Sequence, residues 1–261
     1  MKTSYLSLLC AALMTGGAQA AINPVWYTFD SYTNDVDGHW TNADGWTTAE
    51  SGGYFYISND NSSDGTNYVR FSDSGAGVGA TASISNTFGS LDESTATSLL
   101  YSYYHGNYWG TTVGLGSSAS QGISLASSIS DSMVRLSLGG TQLASQTFDF
   151  SGPMWTDFRL DVDIGANGGS GSATVYARAT GSGLEWTPID GMVGIDLGLD
   201  ASRTALDSTN PANWNTLWFH EEGADSGIDG VAVLAVPEPS SMALLGTGVL
   251  GLAGWLRQRR G

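Results

Sequence analysis

Apolar and polar residues alternate with a period of two along much of this chain, and no stretch between residues 21 and 235 sustains the spacing of an amphipathic helix. The clearest segment is WTDFRLDVDI, residues 155–164. Phe158, Leu160, Val162 and Ile164 fall on one side of it, and Asp157, Arg159, Asp161 and Asp163 on the other. This is the pattern of an antiparallel strand with one buried and one wetted face. GANGGSGS, residues 165–172, supplies the turn residues. ATVYARAT follows, with Ala173, Val175, Ala177 and Ala179 opposite Tyr176 and Arg178, so the two segments predict a hairpin. Further strands are predicted at 26–32, 53–59, 67–73, 80–88, 98–106, 122–128, 132–139, 143–150, 191–199, 215–221 and 227–236. Roughly a dozen strands joined by clusters of Gly, Ser, Thr, Asn and Asp predict an all-β fold of two antiparallel sheets packed as a sandwich. No linker divides residues 21–235, and no repeat of constant period points to a propeller or solenoid, so a single domain is expected there.

Both ends depart from this pattern. Residues 1–20 run from Lys2 through an apolar stretch to Ala18-Gln19-Ala20, the layout of a secretory signal peptide cut after Ala20. Residues 236–261 read VPEPSSMALLGTGVLGLAGWLRQRRG. Pro237, Glu238 and Pro239 end the last strand, an uncharged run follows from Met242 to Leu256, and Arg257, Arg259 and Arg260 come last. As a helix that run would be about 22 Å long, short for a hydrocarbon core about 30 Å thick. The arginines would stay on the cytoplasmic side.

The order of Pro-Glu-Pro, short apolar run and basic end closely resembles the PEP-CTERM sorting signal. That resemblance implies Sec-dependent export across the inner membrane of a Gram-negative bacterium and a transient association with that membrane. It also implies processing by an exosortase, a membrane cysteine transpeptidase, and a final place in the envelope, on the surface or in the biofilm matrix. The protein would be the substrate of that enzyme.

Composition narrows the remainder. Cys10 is the only cysteine and lies in the signal peptide, so the exported body can form neither a disulfide nor a thiolate metal site. Between residues 21 and 236 there are 24 acidic residues, five arginines (Arg70, Arg135, Arg159, Arg178 and Arg203) and no lysine, a net charge of −19. Nucleic acid is excluded as a partner, because phosphate binding needs clustered cations.

The body resembles the jelly-roll sandwiches of legume lectins, laminin G modules and carbohydrate-binding modules. FDSY (29–32) with GW (45–46), TNYVRFSDSG (66–75), SLLYSYYHGNYWG (98–110), WTDFRLDVDIG (155–165) and GIDGVAVL (227–234) carry the likeness. It implies a structural calcium between the first and last strands, with Asp30 and Asp229 in the comparable places. It also implies carbohydrate contact, for which Tyr108 and Trp109, set among Gly106, Asn107 and Gly110, are the candidates.

Catalytic patterns are missing. Jelly-roll glucanases carry two glutamates around an aspartate on one strand; the nearest equivalent here, Asp161-Val162-Asp163, reads as a solvated strand face. Asp225-Ser226-Gly227 matches only part of a serine-protease motif, and Ala224 precedes it. His39, His105 and His220 form no ligand pair, and His220-Glu221-Glu222 reads as a strand end. The sequence therefore points to a non-catalytic, secreted carbohydrate-binding or matrix protein. An extracellular polysaccharide-active enzyme and a structural or adhesive protein that binds other proteins are the two alternatives.

Overall fold

The computed structural model describes residues 25–33, 39–40, 43–60, 62, 66–73, 80–85, 88–89, 91, 96–105, 110–118, 121–152, 154–200, 209–222 and 226–236. Among them, strands account for nearly all regular structure: β1 (Val25–Tyr27), β2 (Thr47–Glu50), β3 (Gly53–Ser58), β4 (Tyr68–Asp73), β5 (Ala80–Ser85), β6 (Ala96–His105), β7 (Gly110–Gly116), β8 (Ile123–Ser128), β9 (Met133–Leu138), β10 (Thr141–Thr147), β11 (Trp155–Asp163), β12 (Ser172–Ala179), β13 (Thr187–Pro188), β14 (Ile195–Asp196), β15 (Thr216–Glu222) and β16 (Ser226–Val236). One sheet runs β13-β12-β11-β6-β16-β4-β3, with β1 added to β16 and β14 to β12; the other runs β10-β9-β8-β7-β15-β5-β2. Every strand pairing is antiparallel.

The core lies between the sheets, where alternate residues of facing strands meet. Trp46 and Phe55 each pack 5.3 Å from Phe219. At another part of the core Phe148 lies 4.8 Å from Phe150 and 5.4 Å from Phe158. With no disulfide in the body, this apolar burial is the main source of stability.

β16 organises the first sheet. Its whole length pairs with β6, while its other flank serves β4 at Gly227–Ile228 and then β1 at Val231–Val233. The register against β6 shifts between Asp229 and Ala232, where Gly230 takes the left-handed conformation (φ 55°). A bulge there bends the strand and lets one flank change partner.

Most strands predicted from alternation occur within two or three residues of the expected limits. Residues 191–199 do not form the expected strand; only Ile195–Asp196 pairs, because Gly191, Gly194 and Gly198 all adopt positive φ (74°, 62° and 61°) and break the extended run. The strand expected at 26–32 stops at Tyr27 and turns over Asp30. β2, β7 and β13 were not predicted. GTTVGLG, which forms β7, has too many glycines and too few apolar residues to show alternation, yet it sits mid-sheet between β8 and β15.

Gly227 is required for close approach. A Cβ there would sit 2.7 Å from the Tyr68 ring and 2.8 Å from the Val69 carbonyl oxygen. Gly227→Ala is therefore expected to destabilise the fold by roughly 1–3 kcal/mol, as overpacking does. Urea unfolding measures this directly, and an unchanged midpoint would contradict the packing described.

Candidate functional site

The outward face of the first sheet carries three aligned rows of side chains, each fixed by strand register. In the first row Trp26, Ala232, Leu100, Arg159 and Tyr176 are successive partners across β1, β16, β6, β11 and β12. In the second, Asp229, Ser102, Asp157 and Arg178 lie in line. The third comprises Tyr56, Arg70, Gly227, Tyr104 and Trp155. At a strand spacing of about 4.8 Å, the four gaps from Trp26 to Tyr176 span about 19 Å.

Ion pairs and rings hold these rows. The Arg159 guanidinium donates to Asp161 from Nε at 2.9 Å and Nη2 at 2.6 Å, and its Cζ lies 4.3 Å from the Tyr176 ring centre. The Arg178 Nε donates to Asp157 at 2.9 Å while the guanidinium lies 4.2 Å from the Trp186 ring centre. Asp157 also accepts from Ser102 Oγ at 2.8 Å and from Thr180 Oγ1, so it tolerates being only 7% exposed. Arg70 lies 5.9 Å from the Tyr56 ring centre and 5.6 Å from that of Tyr104. Three of the body's five arginines thus stand on one face, flattened against rings. Trp26 is 59% exposed at the far end of its row. Rings can stack on the C–H faces of a sugar, while carboxylates and guanidinium groups bond its hydroxyls.

The residues singled out from sequence scatter differently. Tyr108, Trp109, Pro237, Glu238, Pro239, Arg257, Arg259 and Arg260 lie outside the described residues. Tyr101 and Tyr103 point into the core and Tyr104 to the outer face. Asp161 and Asp163 face outward as expected, but each has a structural partner: Asp161 accepts from Arg159 and Ser98, and Asp163 accepts from the Ala166 amide at 3.0 Å.

Asp30 is exposed in the turn after β1, whereas Asp229 lies half-buried in β16 and its Oδ1 accepts from the Gly230 amide at 2.7 Å. Continued past Tyr27↔Val231, the β1–β16 register would set Phe29, not Asp30, opposite Asp229. No group of three or more His, Cys, Asp or Glu able to hold a metal occurs among the described residues. Trp26, Arg159 and Trp186, which share the outward face, were not among the residues expected from sequence to contact a ligand. The only signal was the placement of arginines among aromatics on one strand face, which acquires meaning once β1 and β11 are known to share a sheet.

Alternation also splits His220-Glu221-Glu222. His220 and Glu222 face outward, 3.7 Å apart, while Glu221 turns into the core and is 0% exposed. Its carboxyl accepts from Ser226 Oγ at 2.6 Å and from Thr111 Oγ1. Burial pushes this carboxyl up from 4.5 to about 7, against the opposing effect of those two hydroxyl bonds. The folded state therefore holds the proton more tightly than the unfolded chain does. The associated stability is present below pH 4.5 and is lost as pH rises through about 7. The thermal midpoint should fall between pH 5 and 8 in the native protein, and Glu221→Gln, which keeps the shape without the charge, should flatten that fall. Parallel midpoint profiles for the two proteins, followed by differential scanning fluorimetry, would contradict this.

No curated protein matches this chain. Solved structures with a similar fold include the VIP36 exoplasmic/lumenal domain in a Ca2+/Man3GlcNAc-bound form, 11% identical over 76% of this chain and 88% of that one, with a TM-score of 0.44. The T. cruzi calreticulin globular domain is 12% identical over 88% of this chain and 94% of that one, with a TM-score of 0.47. An endo-1,3-β-glucanase from Streptomyces sioyaensis is 10% identical over 84% of this chain and 94% of that one, with a TM-score of 0.34. Residues 235–260 match the PEP-CTERM protein-sorting motif. The chain is thus an antiparallel β-sandwich followed by a PEP-CTERM sorting motif, which implies export and a place in the cell envelope or on the surface.

Proposed function

We propose that this protein is an exosortase-processed component of the cell surface or exopolysaccharide matrix, and that the outer face of its nine-stranded sheet binds extracellular polysaccharide without cutting it. The supporting observation is a row about 19 Å long across five strands, with Trp26 at one end, Ala232 and Leu100 between, and Arg159, Tyr176 and Trp186 at the other end. That length accommodates several sugar units in an extended chain. The non-catalytic reading is supported by the acids on that face. Asp157 and Asp161 are tied to Arg178 and Arg159, and the carboxyl with the raised pKa, Glu221, is sealed in the core. A glycosidase needs two carboxyls flanking a reachable bond.

Affinity electrophoresis through neutral polysaccharides tests the reading. The native protein should be retarded, and Trp26→Ala and Trp186→Ala should each weaken retention roughly tenfold, or about 1.4 kcal/mol. Retention untouched by both changes would move the site elsewhere. Release of reducing ends would favour the enzyme reading, and no retention on any polysaccharide would favour an adhesive protein that binds other proteins. For the tail, removal of residues 237–261 should change cell fractionation and abolish the mass change of processing. Identical fate and mass with and without it would oppose sorting by exosortase.

A further inference from the structure

A cleft of about 390 Å³ opens at the β12–β13 edge of the sandwich, against core-facing positions of the same sheet. Phe148, Ala177, Pro188 and Ile189 give it an apolar wall, and Asp149, Thr187 and Arg178 stand among the polar lining groups. Phe148 is half-buried, and Ala177 and Ile189 are buried, so the deeper wall is carbon. Arg178 belongs to both places: it lines the cleft and also lies over Trp186 in the aromatic row. Its Nε is committed to Asp157, and its terminal nitrogens have no hydrogen-bond partner among the described residues. The Ser151 hydroxyl, and after it the Ser151 amide at 2.9 Å, hold the Asp149 carboxyl below the usual carboxylate range.

An apolar wall with a few placed polar groups is the usual make-up of a small-molecule site. The polar groups fit a neutral sugar: Arg178 can donate to ring or hydroxyl oxygens, and Asp149 can accept from hydroxyls. An acidic sugar fits poorly, because Asp149 would face its carboxylate in a body already at −19. An ordinary hexose presents a hydroxymethyl group that would lose water against Phe148, Pro188 and Ile189 without gaining a partner from them. A methyl group at that position would be buried favourably.

We propose that this cleft is a subsite for a neutral sugar ring carrying a methyl group, either a 6-deoxy sugar or an acetylated one. The subsite would lie around the β12–β13 edge from the polysaccharide-binding face, with Arg178 at the boundary between them, and it rests on the reading of that face given above. The chain would run over Trp186 and Arg178 and set one substituted ring, or its acetyl group, into the cleft. Recognition would then favour polymers decorated with such groups over bare ones.

Gly152 offers a clean test. It lines the cleft, and a Cβ added there meets nothing within 4 Å, so Gly152→Phe has room to grow into the space without colliding with the fold at its first atom. Binding to the native protein would be titrated by calorimetry with two pairs of probes, L-fucose against L-galactose and N-acetyl-D-glucosamine against D-glucose. The methyl-bearing member of at least one pair should bind roughly fourfold tighter, the worth of one buried methylene at about 0.8 kcal/mol. The pair that discriminates identifies the deoxy or the acetyl form. Gly152→Phe should erase the preference while its thermal midpoint and its retention on unsubstituted polysaccharide remain native. Retention on polysaccharide with equal affinity inside both pairs, or a preference that survives Gly152→Phe, would overturn the subsite and leave the face standing. Absence of polysaccharide retention in the native protein would overturn both.

Discussion

The arrangement of the outer face depends on one strand that serves three partners. β16 lies against β6 along its length and changes from β4 to β1 on its other flank at the bulge around Gly230. Without that change β1 would have no place in the sheet, and Trp26 would not come into line with Leu100, Arg159 and Tyr176. The same strand carries Asp229 and Gly227 into the other two rows, and it ends where the sorting motif begins. One element therefore joins the core, the candidate binding face and the route by which the body is delivered.

The chemistry of that face follows from the scarcity of cations. A body with 24 acids and five arginines cannot build a basic surface, and it does not. Three of its arginines are placed where each meets at least one ring, and Arg159 and Arg178 also meet an aspartate. Their value lies in orientation: a guanidinium fixed on two sides keeps its remaining donors in place. The second sheet has a different outward character, with Thr112, Gly114, Ser124 and Ala126 among its central strands. The two faces of the sandwich are thus chemically distinct.

Much of this was legible in the chain itself. Alternation in residues 155–164 and 173–180 identified the hairpin, its buried side and its charged side, because a half-buried antiparallel strand writes its faces directly into the sequence. The sorting motif was legible because it is a linear signal that needs no fold to be read. β7 was not legible, since a strand built from Gly and Thr gains its place from neighbours on both sides rather than from its own pattern. The candidate face was the least legible part. Tyr108 and Trp109, set among Gly106, Asn107 and Gly110, lie outside the described residues, and the aligned row draws on residues as far apart as Trp26 and Tyr176. Strand order decides which distant side chains become neighbours, and alternation within one strand carries no information about it. Glu221 was hidden for a related reason: period two separates it from His220 and Glu222, but its two hydroxyl partners come from β7 and β16.

The central claim is that the outward face of the nine-stranded sheet is where the protein meets sugar. The protein has nine tryptophans, and their indole N–H resonances can be followed individually in a heteronuclear spectrum as an oligosaccharide is added. Signals of Trp26 and Trp186 should move together and saturate, while those of Trp214, buried in the core, and Trp218, bonded through Nε1 to the Gln121 carbonyl on the opposite sheet, should stay fixed. Movement of Trp218 with Trp26 and Trp186 unmoved would place binding on the other face and contradict the account.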